Sequence, residues 1–359
     1  MKNFEKVQRD FYAVAKPAMW LILVTGIIFI LMYFKTLLQP LMIAAIIWYF
    51  IKLVKNMVSR IRIGKVAMPG WMQNLVSAII IFAILYLTVE MLIFNIQEII
   101  ADLPGYNFNF EELISKAEPF LGSDLISGFK DKIPSVSELQ PILAGVLNSF
   151  TFTMGQIFVI IFYTAFMIFE DSMFARKMQI ILSDSPKEIR ERRVLKRISV
   201  SIRKYVVVKI YVSLLTAFLG MIVLLIFNVN YLFLWTFLLF ILNFIPYIGS
   251  FIATLLPAVF AAIQYGHFME FVIVFLLIEA VQLLVANVVE PRMVGRTLNL
   301  SPLVVMVCLV FWGYVWGLLG MIIAVPVTSV LVIVMSQFKS TRDIAVLLSE
   351  NGELEPIDA

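Results

Sequence analysis

Cysteine, histidine and charge are all scarce in this chain. Its 359 residues include one Cys and one His. An intrachain disulfide and a thiolate metal cluster are therefore excluded, and a His-rich metal site or a Ser/His catalytic pair has little material to draw on. Cys308 lies inside an apolar run, which leaves the redox compartment unreadable, and His267 at a loop edge reads as an interfacial residue. No GxxxxGK[ST] phosphate loop is present, so ATP hydrolysis is not expected, and neither a cofactor nor a resident metal is called for. Only 14% of residues are charged while 62% are hydrophobic, far outside the usage of soluble globular domains.

What is abundant is long apolar sequence. Runs at 18–34, 37–53, 71–94, 143–169 and 206–227 reach the roughly 17 to 25 residues that a helix needs to cross a bilayer, and they lack the alternation of a membrane barrel. The expected fold is an all-α polytopic membrane protein of about eight transmembrane helices, one integral membrane unit over residues 1–359. The first run follows Lys2, Lys6, Arg9 and Lys16, but its polar lead and core are long and a second run follows at once. It is therefore read as the first of two paired helices rather than a cleaved signal.

Charge distribution gives the topology. Lys52, Lys55, Arg60, Arg62 and Lys65 sit between the second and third runs with no acidic residue among them, which places that connector in the cytoplasm. Residues 95–139 carry Glu98, Asp102, Glu111, Glu112, Glu118, Asp124, Asp131 and Glu138 against three lysines, and belong to the outer side. Pro104, Pro119, Pro134 and Pro141 divide this stretch into short pieces, with an interfacial helix over 110–120. This segment reads either as a lid or as a surface connector. Residues 170–205 are strongly basic and cytoplasmic, with Ser185, Pro186 and Glu188 as a helix start and an apolar stripe of Ile189, Leu195, Ile198 and Ile202. That amphipathic segment suits anionic lipid or a lever between spans. Both termini are expected in the cytoplasm. The positive charge is thus explained by topology, and nucleic acid binding is not expected.

In the C-terminal half, apolar sequence is interrupted twice in corresponding fashion. Two short arms, 231–245 and 250–265, flank Pro246, Tyr247, Ile248 and Gly249, with Pro257 in the second; two more, 303–314 and 318–335, flank Gly313, Gly317 and Gly320, with Pro326 in the second. Such arms suit re-entrant hairpins or broken helices that present backbone groups to a solute; four short, kinked but complete spans are the other reading. Residues 231–335 are the expected transport core. Between the arms lies one ordinary span, 268–289, in which Glu279, Gln282 and Glu290 share a side at helical spacing with Asn287 beside them. A Glu inside such a run is a functional candidate, because a charged side chain costs about 2.5 to 3.5 kcal/mol at the bilayer centre on insertion scales. It could carry a proton through a transport cycle, or serve protonated as a hydrogen-bonded contact between helices. Pro291 ends this span, and Arg292 or Arg296 could pair with Glu290, meet an anionic solute or simply mark the cytoplasmic side. Glu90, near the end of the third run, reads as an interfacial residue.

The chain resembles the autoinducer-2 exporter family of bacterial multi-span membrane proteins. The resemblance is carried from Asn243 to Pro326 by Pro246, Tyr247, Ile248, Gly249 and Pro257, by Gln282, Asn287, Pro291, Gly295, Leu300 and Pro302, and by Gly317, Gly320, Ala324 and Pro326. Ala286 and Ser301 depart from the Gly and His that many members carry there. The resemblance implies a transporter of the bacterial cytoplasmic membrane that exports a small polar signalling molecule such as autoinducer-2. It also implies a homo-oligomer, a pentamer being one such assembly. Members have been linked as well to exchange of sodium or lithium for protons. Solute- or ion-path candidates are Asn243, Glu279, Gln282, Asn287 and Glu290, with Pro246, Gly249, Pro257, Pro291, Gly295, Gly317, Gly320 and Pro326 as hinge or hairpin positions. A nontransporting membrane scaffold is the alternative of another class. It would leave Glu279, Gln282 and the paired breaks as unrelated packing features.

Overall fold

The computed structural model describes residues 2–60, 62–63, 66–103, 136–183, 188–294 and 299–352. Expectations about the outer segment 104–135, the Ser185–Pro186 helix start, Gly295 and Arg296 fall outside them. The order is α1 (Lys2–Tyr33), α2 (Lys35–Val58), the ribbon β1 (Arg62–Ile63) and β2 (Val66–Ala67), α3 (Gly70–Asp102), α4 (Val136–Ser183), α5 (Glu188–Ile226), α6 (Leu232–Leu242), α7 (Ile248–Tyr265), α8 (Phe268–Leu284), a π-helical turn (Val285–Val289), α9 (Glu290–Val294), α10 (Pro302–Met335) and α11 (Arg342–Leu348). Among the described residues six helices are long and apolar enough to cross a membrane, joined by the shorter apolar stretches Leu21–Tyr33 and Leu232–Leu242. The fold is that of an all-α polytopic membrane protein.

Several helices outrun the apolar sequence that announces them. α3 continues to Asp102, so Glu98 and Asp102 ride on a helix rather than in a connector, and α4 already begins at Val136, so Pro141 lies inside a helix and does not break the chain there. The basic stretch after 170 divides between the end of α4 and the first half of α5, which passes without a break into apolar sequence. The physical reason is that apolar residues report hydrocarbon depth alone. The backbone ladder continues into water wherever Glu, Gln, Lys and Arg keep good helix propensity.

Both interrupted units are helical hairpins. In the first, α6 and α7 run antiparallel, so that Trp235 meets Phe260 with ring centroids 5.2 Å apart. With 11 residues, α6 extends about 16 Å at 1.5 Å per residue, too short for a hydrocarbon core of about 30 Å. Its base is clasped: the Asn230 N–H donates to Gln264 Oε1 at 2.8 Å, Gln264 Nε2 donates to the Asn228 carbonyl at 2.8 Å, and the Tyr265 hydroxyl donates to the Phe227 carbonyl at 2.6 Å. Gly266 ends α7 at φ 69°, the left-handed cap that glycine adopts without strain.

The second hairpin lies within α10. Gly317 leaves helical geometry at φ 64°, ψ −143°, and the chain folds back so closely that a Cβ on Gly320 would stand 1.9 Å from the Trp312 carbonyl oxygen. Its arms close on Leu309, Trp312 and Ala324, with Val305, Met321 and Val327 packed against them.

The hairpins meet α5 at separate levels, the first at its C-terminal end and the second near its middle. The first is clasped to Phe227, just beyond its C-terminus, whereas the returning arm of the second packs on Tyr205. These positions are 22 residues apart, or about 33 Å along a helix, close to a bilayer's thickness. The main core joins α3, α5, α6, α7 and α8 through Leu92, Ile96, Leu224, Leu239, Phe260 and Ile278, with Ala253, Ala258 and Ala261 fully buried on α7. Small residues there let helices approach closely, which matters where lipid removes the hydrophobic drive between them.

Candidate functional site

The tip of the first hairpin places a layer of polar groups inside apolar surroundings. Asn243 ends α6 and is buried; its Nδ2 donates to Ser213 Oγ of α5 at 3.1 Å. Pro246 and Tyr247 then turn the chain, with the Ile248 N–H returning to the Pro246 carbonyl at 2.7 Å. Tyr247 sits at φ 61°, ψ −66°, a strained γ-turn conformation for a residue with a Cβ, and its side chain is exposed. Gly249 follows where no side chain fits, since a Cβ would stand 2.0 Å from the Leu242 carbonyl oxygen.

α8 faces this tip with Gln282, which is buried. Its Nε2 donates to the Ser250 carbonyl at 3.1 Å and lies 3.4 Å from Thr254 Oγ1. Thr254 Oγ1 donates to the same Ser250 carbonyl at 3.1 Å. Three residues before Gln282, Glu279 is half-buried, and its Oε2 is buried with no hydrogen-bond partner among the described residues. The layer therefore offers amides, hydroxyls, a carbonyl and one carboxylate oxygen still able to accept. Such groups suit a hydroxylated solute or a small cation stripped of part of its water. Among the described residues no three His, Cys, Asp or Glu side chains come together as a metal site.

The remaining candidates go elsewhere. The π-helical turn after α8 breaks the regular eight-residue relation between Gln282 and Glu290. Gln282 meets α7, whereas Glu290 meets α5. Asn287 is exposed and its Nδ2 returns to the Leu283 carbonyl at 3.0 Å. Glu290 pairs with Lys209 of α5, Nζ lying 2.9 Å from Oε1 and 3.2 Å from Oε2, while Arg292 is exposed. Glu90 is exposed on α3. Pro257 and Pro326 each sit in a returning arm, where they leave the carbonyls of Ala253 and Ile322 without a helical donor. Pro291 does not end the span, because the helix continues through the π-helical turn to Val294 and Pro291 lies inside that unbroken run, where it removes one helical donor.

Lys209, Tyr205, Ser213 and Thr254 are the residues that sequence reading passes over. Lys209 alone had a usable signal, as a lone lysine within the run 206–227 that needs a counter-charge as much as Glu290 does. The tip of the second hairpin is held differently. Gln39 Nε2 of α2 donates to the Trp316 carbonyl at 3.1 Å, and Trp316 Nε1 donates to the Leu31 carbonyl of α1 at 3.1 Å.

Comparison with known proteins agrees with this architecture. The chain matches the AI-2E family transporter pattern over residues 18–340. It is 28% identical over 301 residues to the AI-2 transport protein TqsA of Escherichia coli (strain K12), covering 83% of this chain and 85% of that one. It is 30% identical over 292 residues to a provisionally named transport protein of Haemophilus influenzae, covering 79% and 82%. It is 27% identical over 279 residues to the provisionally named transport protein YhhT of Escherichia coli (strain K12), covering 76% and 78%. With a matching pattern over most of its length and several apolar helices able to span a bilayer, this multi-pass membrane protein belongs to the AI-2E transporter family.

Proposed function

We propose that the chain is a secondary exporter of a small polar signalling molecule of the autoinducer-2 type, driven by a proton or ion gradient. The observation that carries this reading is the buried polar layer between the tip of the first hairpin and α8, formed by Asn243, Ser213, Ser250, Thr254 and Gln282 beside Glu279. The solute class is suggested by the relative named an AI-2 transport protein. The hairpins would shift around α8 so that this layer opens to one side at a time. The bacterial cytoplasmic membrane is the proposed location, with both termini inside, in keeping with Lys52, Lys55 and Arg60 at the end of α2 and Arg192, Arg193, Lys196 and Arg197 on α5. A homo-oligomer, for which a pentamer is one candidate, is the proposed assembly.

One observation favours a second reading, sodium or lithium exchange for protons. The buried Oε2 of Glu279, without a hydrogen-bond partner among the described residues, could take either a proton or, with nearby carbonyls, a small cation. Reconstituted vesicles distinguish the two. Labelled autoinducer-2, sodium and lithium are followed together with internal pH, for wild type and for Glu279→Gln and Gln282→Leu. Solute flux lost by about ten-fold or more in both variants, at unchanged folding and assembly, agrees with export and corresponds to roughly 1.4 kcal/mol or more of lost stabilisation. Cation-driven proton movement without solute flux favours exchange. No flux of either kind under imposed gradients rejects both and advances the scaffold.

A further inference from the structure

Tyr205 and Lys209 lie one helical turn apart on α5 and are both buried, at 5% and 4% relative exposure. Lys209 Nζ engages both oxygens of Glu290. The Tyr205 hydroxyl has no hydrogen-bond partner among the described residues, and it sits one turn from the lysine that holds Glu290. The Tyr205 ring packs against Leu300, Val325, Val332 and Ala345. Successive turns of α5 thus touch the returning arm of the second hairpin and the start of α9.

This is an unbalanced arrangement. Glu290 is held by one buried donor, Lys209, while a second buried donor one turn away on the same helix, the Tyr205 hydroxyl, has no partner among the described residues. A buried hydroxyl left without a partner is costly and uncommon. A second arrangement, in which the Tyr205 hydroxyl donates to Glu290 while Lys209 turns to water or to a polar solute group, would relieve that cost. Only the donor to Glu290 changes, and the exchange needs no bond-breaking step. Glu290 also directly follows the π-helical turn, where the wider ladder eases a change of register.

We infer that Tyr205 and Lys209 are positioning residues for transport, exchanging Glu290 between them as α9 and the second hairpin shift against α5. The test places spin labels at Tyr211 and Met293, both exposed, in a Cys308→Ala background, and measures their separation by pulsed dipolar spectroscopy in lipid bilayers. Two separations are expected for the otherwise unaltered chain. Tyr205→Phe should leave only the one in which Lys209 holds Glu290, with thermal stability equal or higher and solute flux slowed about five-fold or more. Lys209→Met should favour the other separation. Where that variant folds poorly, Lys209→Met with Glu290→Leu restores an apolar contact, and it should show one separation. A single separation unchanged by Tyr205→Phe overturns the inference, as does a Tyr205→Phe variant with wild-type separations and flux. The inference rests on the transport reading only for its flux measurement. Absence of flux for every solute would defeat that reading, whereas the separations decide this one independently.

Discussion

The two hairpins solve one geometric problem with different chemistry. Each must fold a helix back on itself, and each uses a glycine where the arms come closest: Gly249 against the Leu242 carbonyl and Gly320 against the Trp312 carbonyl. The turns then diverge. The second hairpin turns on Gly317, a residue free to adopt positive φ, and its tip is tied to the first two helices through Trp316, Gln39 and Leu31. The first turns on Tyr247, which is strained and exposed, and surrounds its tip with groups that donate and accept hydrogen bonds. Strain kept where glycine would remove it is characteristic of functional positions. The difference leaves the tip of the second hairpin tied to the first two helices and puts the strained turn and the buried polar groups in the first.

The largest effects should come from the feature the hairpins share. Gly249→Ala and Gly320→Ala each drive a methyl group into a backbone carbonyl that cannot move aside, and each should cost about 3 kcal/mol or more. Thermal unfolding of the purified protein in detergent should show a large loss for both variants. A variant that keeps the wild-type midpoint would mean the arms are not so closely apposed.

The turns themselves should respond with opposite signs. Gly317→Ala has open space around it but retains an unfavourable backbone, at a cost of about 1 to 3 kcal/mol. Tyr247→Gly relieves strain and should raise the unfolding midpoint while reducing solute flux. Equal destabilisation by both substitutions would erase the distinction between the hairpins.

Smaller still are the tip contacts. Gln39→Leu removes one hydrogen bond, worth about 0.5 to 1.5 kcal/mol, and should lower the midpoint slightly; Trp316→Phe removes another together with part of a buried ring and should lower it further, each with flux nearly intact. Gln282→Leu should show the reverse, a comparable loss of stability with most of the flux gone. Flux measured beside unfolding for the three variants checks this contrast.

Much of this was legible in the sequence. Apolar runs located the helices, and spaced Pro and Gly located both turns, because a chain cannot reverse inside hydrocarbon without such residues. Gln282 stood out as an amide within an apolar span, and it does meet the first hairpin. The partnership of Glu290 was not legible. Periodicity assumes a regular helix, and the π-helical turn moves Glu290 out of register with Gln282. Its partner lies 81 residues away, beyond any local pattern. The strain at Tyr247 was hidden as well, since the Pro246–Gly249 stretch announces a turn without saying which residue takes positive φ.

The bonds that hold the second hairpin's tip carry a consequence for biogenesis. They join residues 277 and 285 positions apart, so α1 and α2 find these partners only when α10 is in place. Until then the Gln39 amide and the Leu31 carbonyl lack the indole and carbonyl of Trp316. The first hairpin closes within a segment of fewer than 40 residues, its base linking Phe227 to Tyr265, and can form while the chain is still being threaded. The first hairpin can thus close before the contacts that lock α1 and α2 to α10 are able to form.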